Sequence, residues 1–293
     1  MRTMRCEESG TERAEFLSEG TSHRAAHVRA GDATGAAPGA AASLSFQDLT
    51  FARGSHTVID GLTYQVSCGK VTCLVGCNGC GKSTLLGLAG GMLRPRSGDM
   101  RLFGRSLGAI DARERARALA ILTQGGPAPA MRVRDFVALG RFPYRGAEEA
   151  ANDGEAVGRA LGLVGLTDLA DAWVDRLSGG QRQRARIALV AAQETPVLLM
   201  DEPTTYLDAA GCHEVLALAR ALAHEGRTVL TVIHDLDLAL RYADEIAVMD
   251  GGRIVCAGTP EDVLDQGVLQ RVFNVRIRAV EDEEGRGYLL FPR

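Results

Sequence analysis

One stretch decides the fold of this 293-residue chain: VTCLVGCNGCGKSTLL, residues 71–86. Five strand-like residues, 71–75, lead into the pattern G-x-x-x-x-G-K-S, and a helix is predicted to begin at Thr84. The glycines let successive backbone N–H groups turn toward a phosphate, and the helix N-terminus adds partial positive charge there. The stretch therefore predicts a loop that binds a nucleoside triphosphate.

Two side chains of this loop have separate predicted roles. Lys82 is expected to reach the β- and γ-phosphates as a point charge, and the Ser83 hydroxyl to ligate Mg²⁺. Only Lys70 and Lys82 are lysine among 33 basic residues, and a compact ammonium suits a tight loop better than a planar guanidinium. The predicted nucleotide-binding residues of the loop are Gly76, Cys77, Asn78, Gly79, Cys80, Gly81, Lys82, Ser83 and Thr84.

Composition and charge exclude several other classes of protein. The net charge is −4 with both signs interspersed, so there is no electrostatic case for a nucleic acid or an anionic membrane as partner. No apolar run approaches the roughly 20 residues of a membrane span, and the N-terminus lacks the apolar region of a signal peptide. We expect a cytoplasmic protein that reaches a membrane only through a partner.

Four of the seven cysteines lie in or near the phosphate loop, at positions 68, 73, 77 and 80. A zinc or iron–sulfur site would need their thiolates to converge and would occupy the place of the nucleotide, so reduced thiols are favoured. Lys82 and the helix end are expected to lower the pKa of thiols in this loop. Oxidation of Cys77 or Cys80 is therefore a hypothetical way to inhibit the protein.

The rest of the chain reads as an α/β domain behind a leader. Residues 1–43 are predicted to be disordered, and from Leu44 alternating segments predict a small antiparallel sheet. A helical region, about residues 126–186, interrupts a core whose apolar strands predict a parallel sheet covered on both faces. A tail from about residue 252 is predicted to hold two short helices and a final strand. The other predicted elements are helices 84–92, 111–118, 182–194 and 211–224, strands 100–103, 119–123, 197–200, 228–233 and 246–249, and a turn at Ser97-Gly98.

Two motifs downstream of the loop extend the phosphate chemistry. An apolar strand, residues 197–200, ends in Asp201 and Glu202, which would point into the ligand crevice at the carboxyl edge of a parallel sheet. Asp201 is expected to hold Mg²⁺ through water, and Glu202 to orient or deprotonate the attacking water. Residues 177–181, LSGGQ, begin a basic helix with a serine cap and exposed glycine N–H groups, which again suit an anion. Because one nucleotide does not need two cradles in one chain, a second subunit is expected.

With these motifs in this order, residues 44–293 resemble the ATP-binding subunit of an ABC transporter, whose diagnostic pentapeptide is matched by residues 177–181. The resemblance implies a P-loop NTPase core with a parallel sheet, an N-terminal antiparallel β subdomain and a helical subdomain. It also implies that two copies pack head-to-tail around ATP and Mg²⁺. In that arrangement the phosphate loop of one copy faces the other copy's Ser178, Gly179, Gly180 and Gln181.

The resemblance also assigns residues that no local pattern identifies. Gln124 matches the loop that contacts Mg²⁺ and couples to the permease, and Asp208 matches the loop that crosses the dimer. His234 matches the histidine that contacts the γ-phosphate, which makes Glu202 and His234 the expected catalytic pair. Arg53 stands where the family usually offers an aromatic residue to adenine. The expected metal-binding residues are Ser83, Gln124 and Asp201.

Finer features are similar to those of importers for iron-siderophores, haem and cobalamin, with iron-siderophores the preferred cargo. They are VRDFV at 133–137, GRFP at 140–143, AQET at 192–195 and EPTTYLD at 202–208. The implied partners are transmembrane permease subunits, a second and expectedly identical ATP-binding subunit, and indirectly an extracytoplasmic binding protein, with no nucleic acid. The implied location is the cytoplasmic side of the membrane. The alternatives are a soluble ABC ATPase acting on DNA or ribosomes, and a regulatory subunit that does not hydrolyse ATP.

Overall fold

The computed structural model describes residues 42–126, 128–282 and 285–292. The predicted leader therefore lies outside the described residues except for Ala42 and Ser43, which already belong to the first strand. The strands are β1 (Ala42–Arg53), β2 (His56–Ser67), β3 (Val71–Gly76), β4 (Ser97–Leu102), β5 (Arg105–Ser106), β6 (Leu119–Leu122), β7 (Val197–Asp201), β8 (Thr228–Val232), β9 (Glu245–Asp250), β10 (Arg253–Gly258), β11 (Val275–Asp282) and β12 (Gly285–Pro292). The α-helices are α1 (Lys82–Ala89), α2 (Ala112–Ala118), α3 (Val133–Ala138), α4 (Asp153–Leu163), α5 (Gly179–Ala192), α6 (Ala209–His224), α7 (Leu236–Tyr242), α8 (Pro260–Asp265) and α9 (Val268–Val272).

The N-terminal sheet is antiparallel, in the order β2-β1-β4-β5, as the alternating pattern predicts. The inward residues of β1, such as Leu44 and Phe46, are fully buried. The predicted turn at Ser97-Gly98 is wrong, because both residues begin β4. Gly98 has φ +89°, and a Cβ there would lie 2.4 Å from the Asp48 carbonyl oxygen. Glycine therefore marks a close approach of two strands here, not a reversal of the chain.

The main sheet has the order β10-β9-β3-β8-β7-β6, and its five strands from β9 to β6 run parallel. Every residue of β3, β7 and β8 is buried, which confirms a parallel sheet covered on both faces.

The C-terminal tail differs from its prediction. Its first segment, β10, pairs antiparallel with β9 at the edge of this sheet, and it ends in a two-stranded hairpin, β11 and β12, in place of one strand.

Several helix boundaries differ from the predicted ones. Helix α1 begins at Lys82 and ends at Ala89, so it starts two residues earlier and is shorter than predicted. Helix α5 begins at Gly179, directly after its cap Ser178. Helix α7 is absent from the predictions; it has seven residues and is capped by the Asp235 carboxylate. Over the described ranges, no helix combines the length and the hydropathy that a bilayer crossing requires.

The helical region packs α3 and α4 against α5. Val133 and Val137 are buried, whereas Leu139 is 47 % exposed and begins a 3₁₀ helix (Leu139–Tyr144). The next residue, Gly140, lies against the backbone of α5. A Cβ at Gly140 would be 2.2 Å from the Leu189 carbonyl oxygen, so glycine is required for this close contact.

A buried arginine joins the helical region to the end of α5. The Arg141 side chain is 4 % exposed and forms ion pairs with Asp153 at 2.8 Å and Glu194 at 2.9 Å. It also donates to the Ala192 carbonyl at 2.9 Å, and its guanidinium lies 4.1 Å from the centre of the Tyr144 ring. One guanidinium makes all four of these contacts, so the removal of Arg141 would break them together. We therefore expect this junction to depend on Arg141.

We expect Arg141→Ala to lower the free energy of unfolding by about 3 kcal/mol, because it leaves Asp153 without its counter-charge and Glu194 with only the exposed Arg159. Urea unfolding with an unchanged m-value measures the loss. The matched control is Arg159→Ala, which removes a 55 % exposed partner of Glu194 and should cost less than about 1 kcal/mol. Equal losses from the two variants would contradict this assignment.

Candidate active site

The phosphate loop is held between β2 and β9. Gly81 has φ +112°, and a Cβ there would lie 2.8 Å from the Met249 side chain and 2.9 Å from that of Ile59. The Lys82 side chain is buried, and its ammonium donates to the carbonyl oxygens of Gly76 at 2.7 Å and Cys77 at 3.0 Å. The loop therefore wraps the ammonium group at the N-terminus of α1, which suits a phosphate ligand.

The two loop cysteines have different environments. Cys80 is buried with its sulfur 3.9 Å from the Lys82 ammonium. Burial raises the pKa of the Cys80 thiol despite that charge, so the expectation of a lowered pKa is wrong for Cys80: desolvation outweighs the cation. Cys77 is exposed, and its thiol donates to the Val272 carbonyl oxygen at 3.1 Å. The C-terminal end of α9 thus touches the phosphate loop.

The predicted metal residues beside the loop are in contact. The Ser83 hydroxyl donates to the Asp201 carboxylate at 3.1 Å. Burial raises the pKa of Asp201, the nearby Glu202 charge raises it further, and the Ser83 hydrogen bond lowers it. A hydroxyl and a carboxylate are hard oxygen ligands of the kind that Mg²⁺ prefers, so this donor set fits that ion.

Glu202 is the centre of the site. One carboxylate oxygen lies 2.5 Å from Nε2 of His234, and the other accepts from the Gln124 amide at 2.7 Å. A third donor, the Thr205 hydroxyl, reaches the second oxygen at 3.2 Å. Glu202 has φ +53°, a conformation that costs about 1–3 kcal/mol in a non-glycine residue and is concentrated at functional sites. The structure therefore brings Gln124, Glu202 and His234 together around one fixed carboxylate.

Such a carboxylate can accept a proton or orient a water molecule. Its neighbour in sequence, Asp201, contacts the phosphate loop through Ser83, so the acid and the loop belong to one continuous cluster. The cluster lies at the carboxyl ends of the parallel strands β6, β7 and β8, where ligands bind in sheets of this type. Hydrolysis of a phosphoanhydride is the chemistry that this arrangement can perform.

The LSGGQ segment forms a second cluster. Ser178 and Gln181 cap α5 reciprocally: the Gln181 N–H donates to the Ser178 hydroxyl at 3.2 Å, and the Ser178 N–H to the Gln181 side chain at 3.0 Å. The atoms nearest to a Cβ at Gly179 or Gly180 belong to Tyr206 and Leu207 rather than to the phosphate loop. Asp208 caps α6 by accepting from the Gly211 N–H at 2.9 Å.

This second cluster is open to solvent. Ser178 and Gly179 are exposed, and Tyr206 is 70 % exposed with φ +70°. Its donors and acceptors therefore face outward, as a surface that meets another molecule would require. The structure does not join these residues to the phosphate loop of the same chain.

Arg53 lies at the end of β1, paired with His56 next to the hairpin turn, and its side chain is exposed. Phe51, two residues earlier, is half-buried and packs against the core of the N-terminal sheet. Its strand partner Ile59 touches Gly81 of the phosphate loop. The end of this sheet therefore adjoins the loop, and Arg53 is exposed there whereas Phe51 is partly buried.

Sequence reasoning missed two contacts of the site. Thr205 lies in the family-like segment at 202–208, but the sequence alone does not indicate that its hydroxyl contacts the Glu202 carboxylate. The contact between Cys77 and Val272 joins residues 195 positions apart, and no sequence signal could have found it.

Residues 59–205 match the protein family described as ABC transporter. The chain is 42% identical over 244 residues to the probable siderophore transport system ATP-binding protein YusV of Bacillus subtilis, covering 82% of this chain and 89% of that protein. It is 41% identical over 270 residues to the hemin import ATP-binding protein HmuV of Burkholderia thailandensis, covering 85% and 99%. Its fold matches that of the dimeric ATP-binding cassette MJ0796 bound to ADP and phosphate, with a TM-score of 0.68, 25% identity, and coverage of 74% of this chain and 98% of that one. The chain therefore belongs to the ABC transporter family, as one of the ATP-binding subunits that hydrolyse ATP to power transport.

Proposed function

We propose that this protein drives the import of ferric iron-siderophore complexes, acting as one half of a homodimeric ATPase on the cytoplasmic side of a permease. The observation that supports ATP turnover is the fixed Glu202 carboxylate beside His234 and Gln124. The cargo is supported by the 42% identity with a protein of a siderophore transport system. We also propose the division into a leader, residues 1–43, and one ATP-binding unit, residues 44–293, with a helical part at 126–186.

In the proposed site, the phosphate loop from Gly76 to Thr84 binds the triphosphate and Lys82 contacts its terminal phosphates. Ser83, Asp201 and Gln124 would hold Mg²⁺, which would neutralise phosphate charge. Arg53 stacks on the adenine base. These roles agree with the observed contacts of Ser83 with Asp201 and of Gln124 with Glu202.

Hydrolysis follows from the position of one carboxylate. Glu202 accepts a proton from the attacking water, or orients that water, while His234 holds one of its oxygens and faces the γ-phosphate. The side chain is only 16 % exposed, so protein groups cover most of its surface. The catalytic residues are therefore Glu202 and His234.

A second subunit completes the site. Its Ser178, Gly179, Gly180 and Gln181 donate to the phosphates from the opposite side, and Asp208 lies where the two subunits cross. The solvent-exposed position of the LSGGQ cluster and the dimeric relative support this arrangement. ATP binds the closed dimer better than the open one, so binding shifts the population toward closure and hydrolysis reverses it. The closure acts on the permease, which receives cargo from an extracytoplasmic binding protein.

Uptake by a strain that lacks this protein tests the cargo. We expect loss of ferric siderophore uptake, with haem and cobalamin uptake unchanged, and restoration by the wild-type gene. The Glu202→Gln gene serves as matched control, because it supplies the folded protein without turnover and should restore nothing. Loss of haem uptake alone would instead support the haem alternative, which the 41% identity with a hemin import protein favours. Normal uptake of all three would contradict the proposal.

A further inference from the structure

We propose that the C-terminal segment, defined as residues 268–282 and 285–292, positions the active site, and that Asp237 is the residue through which it holds His234 in place. The segment takes no part in the chemistry, and its role rests on that of His234 proposed above.

The segment touches the phosphate loop at one end. Helix α9 is fixed in the core by Val268 and Leu269, which are buried. At its last residue, the Val272 carbonyl oxygen accepts a hydrogen bond from the Cys77 thiol at 3.1 Å. Cys77 is the second residue of the phosphate loop, so this contact connects the loop to a rigid part of the segment.

The other end of the segment rests on α7. The backbone N–H of Tyr288 in β12 donates to the Asp237 carboxylate at 2.8 Å, and the Tyr288 side chain is buried in the same core cluster as Leu236 and Leu240. At Gly287 the Arg241 side chain of α7 extends over the strand, and a Cβ there would lie 2.8 Å from its guanidinium. The hairpin therefore packs directly on this helix.

Helix α7 carries the contact to the active site. It begins at Leu236, and its cap Asp235 immediately follows His234. A helix of only seven residues is not stable by itself and depends on the elements packed against it. Since His234 lies 2.5 Å from Glu202, a shift at the start of α7 changes the distance on which the catalytic pair depends. The segment thus spans from the phosphate loop to the histidine and fixes their separation.

The test measures ATP turnover by the purified full-length chain. Asp237→Ala removes the acceptor of the Tyr288 N–H, and the loss of one such hydrogen bond should lower kcat about 3- to 10-fold with KM for ATP unchanged. Asp237→Asn retains an acceptor oxygen without the charge and should stay within about 2-fold of the original rate. Asp168→Ala, at an exposed position of the helical region, is the matched control and should leave kcat unchanged.

A double-mutant cycle shows whether the effect passes through His234. In the His234→Ala background, Asp237→Ala should lower kcat by less than about 2-fold further, since its target is already gone. An equal loss in both backgrounds, or no loss in the wild-type background, would overturn the proposal. If His234→Ala itself left ATP turnover unchanged, the catalytic role proposed above for His234 would be contradicted instead.

Amide hydrogen exchange separates local positioning from general loss of stability. In Asp237→Ala, exchange should rise in the peptide of residues 234–242 and stay unchanged in β3 and β7. A uniform rise across the core, together with a lowered unfolding temperature, would show a merely structural role and would also overturn the proposal.

Discussion

Glu202→Gln is expected to bind ATP with nearly unchanged affinity and to hydrolyse it at least about 100-fold more slowly. The amide has the shape of the carboxylate but cannot take a proton from water. The groups that contact this side chain, from Gln124, Thr205 and His234, are hydrogen-bond donors. The new NH₂ group is also a donor, so one former hydrogen bond becomes a donor–donor contact. Steady-state ATPase assays and ATP titration by calorimetry measure the two quantities.

Because closure is favoured by ATP and reversed by hydrolysis, the same variant should accumulate as an ATP-bound dimer on gel filtration. A native thiol in the phosphate loop allows a direct check of how the two subunits of this dimer face each other. Cys77 lies exposed in the phosphate loop, so adding Ser178→Cys should permit a short thiol crosslink between subunits only when ATP is present. Asp168→Cys is the control and should not crosslink. Turnover near the wild-type rate, or the absence of the Ser178 crosslink, would contradict the assigned roles.

Lys82→Ala is expected to weaken ATP binding itself, by about 10- to 100-fold, since a hydrogen bond to a charged group contributes about 1.5–3 kcal/mol. The buried ammonium lies inside the loop, bound to two of its carbonyl oxygens, so its removal also leaves those acceptors without a donor. Equilibrium binding of a fluorescent ATP analogue measures the change.

The chain has a matched control for this experiment, because its other lysine lies just before the strand that leads into the phosphate loop. Lys70 is partly exposed and pairs with Glu245 at 2.6 Å, just before β3 begins. Lys70→Ala should lower stability slightly and leave ATP affinity unchanged. Equal effects of the two lysines, or unaltered affinity in Lys82→Ala, would count against the loop assignment.

What could be predicted from the sequence was local. The phosphate loop could be predicted because its proposed function depends on backbone conformation, which glycines at fixed spacing indicate. The wholly buried strands β3, β7 and β8 were identified because an apolar run without alternation has few other interpretations. The roles of Gln124 and His234 came only from family resemblance, and the structure brings both residues to Glu202.

The errors arose where distant parts of the chain decide the outcome. Helix α7 is short and stabilised by a hairpin that lies about 50 residues further on, as in the Asp237–Tyr288 contact with its separation of 51. Strand β10 follows two glycines and looks like a loop until β9 is placed beside it. For Cys80, the sequence shows the neighbouring lysine but not the burial that outweighs it.

The close contact at Gly140 has a mechanical consequence. At Gly140 the backbone of the 3₁₀ helix lies directly against that of α5, so no side chain at this point of contact can change rotamer to absorb a displacement. Phe142, two residues away, is 62 % exposed, while Ser178 caps the far end of the same α5 helix. A displacement of Phe142 would thus be transmitted through α5 to Ser178. The helical region would move as a rigid body instead of deforming.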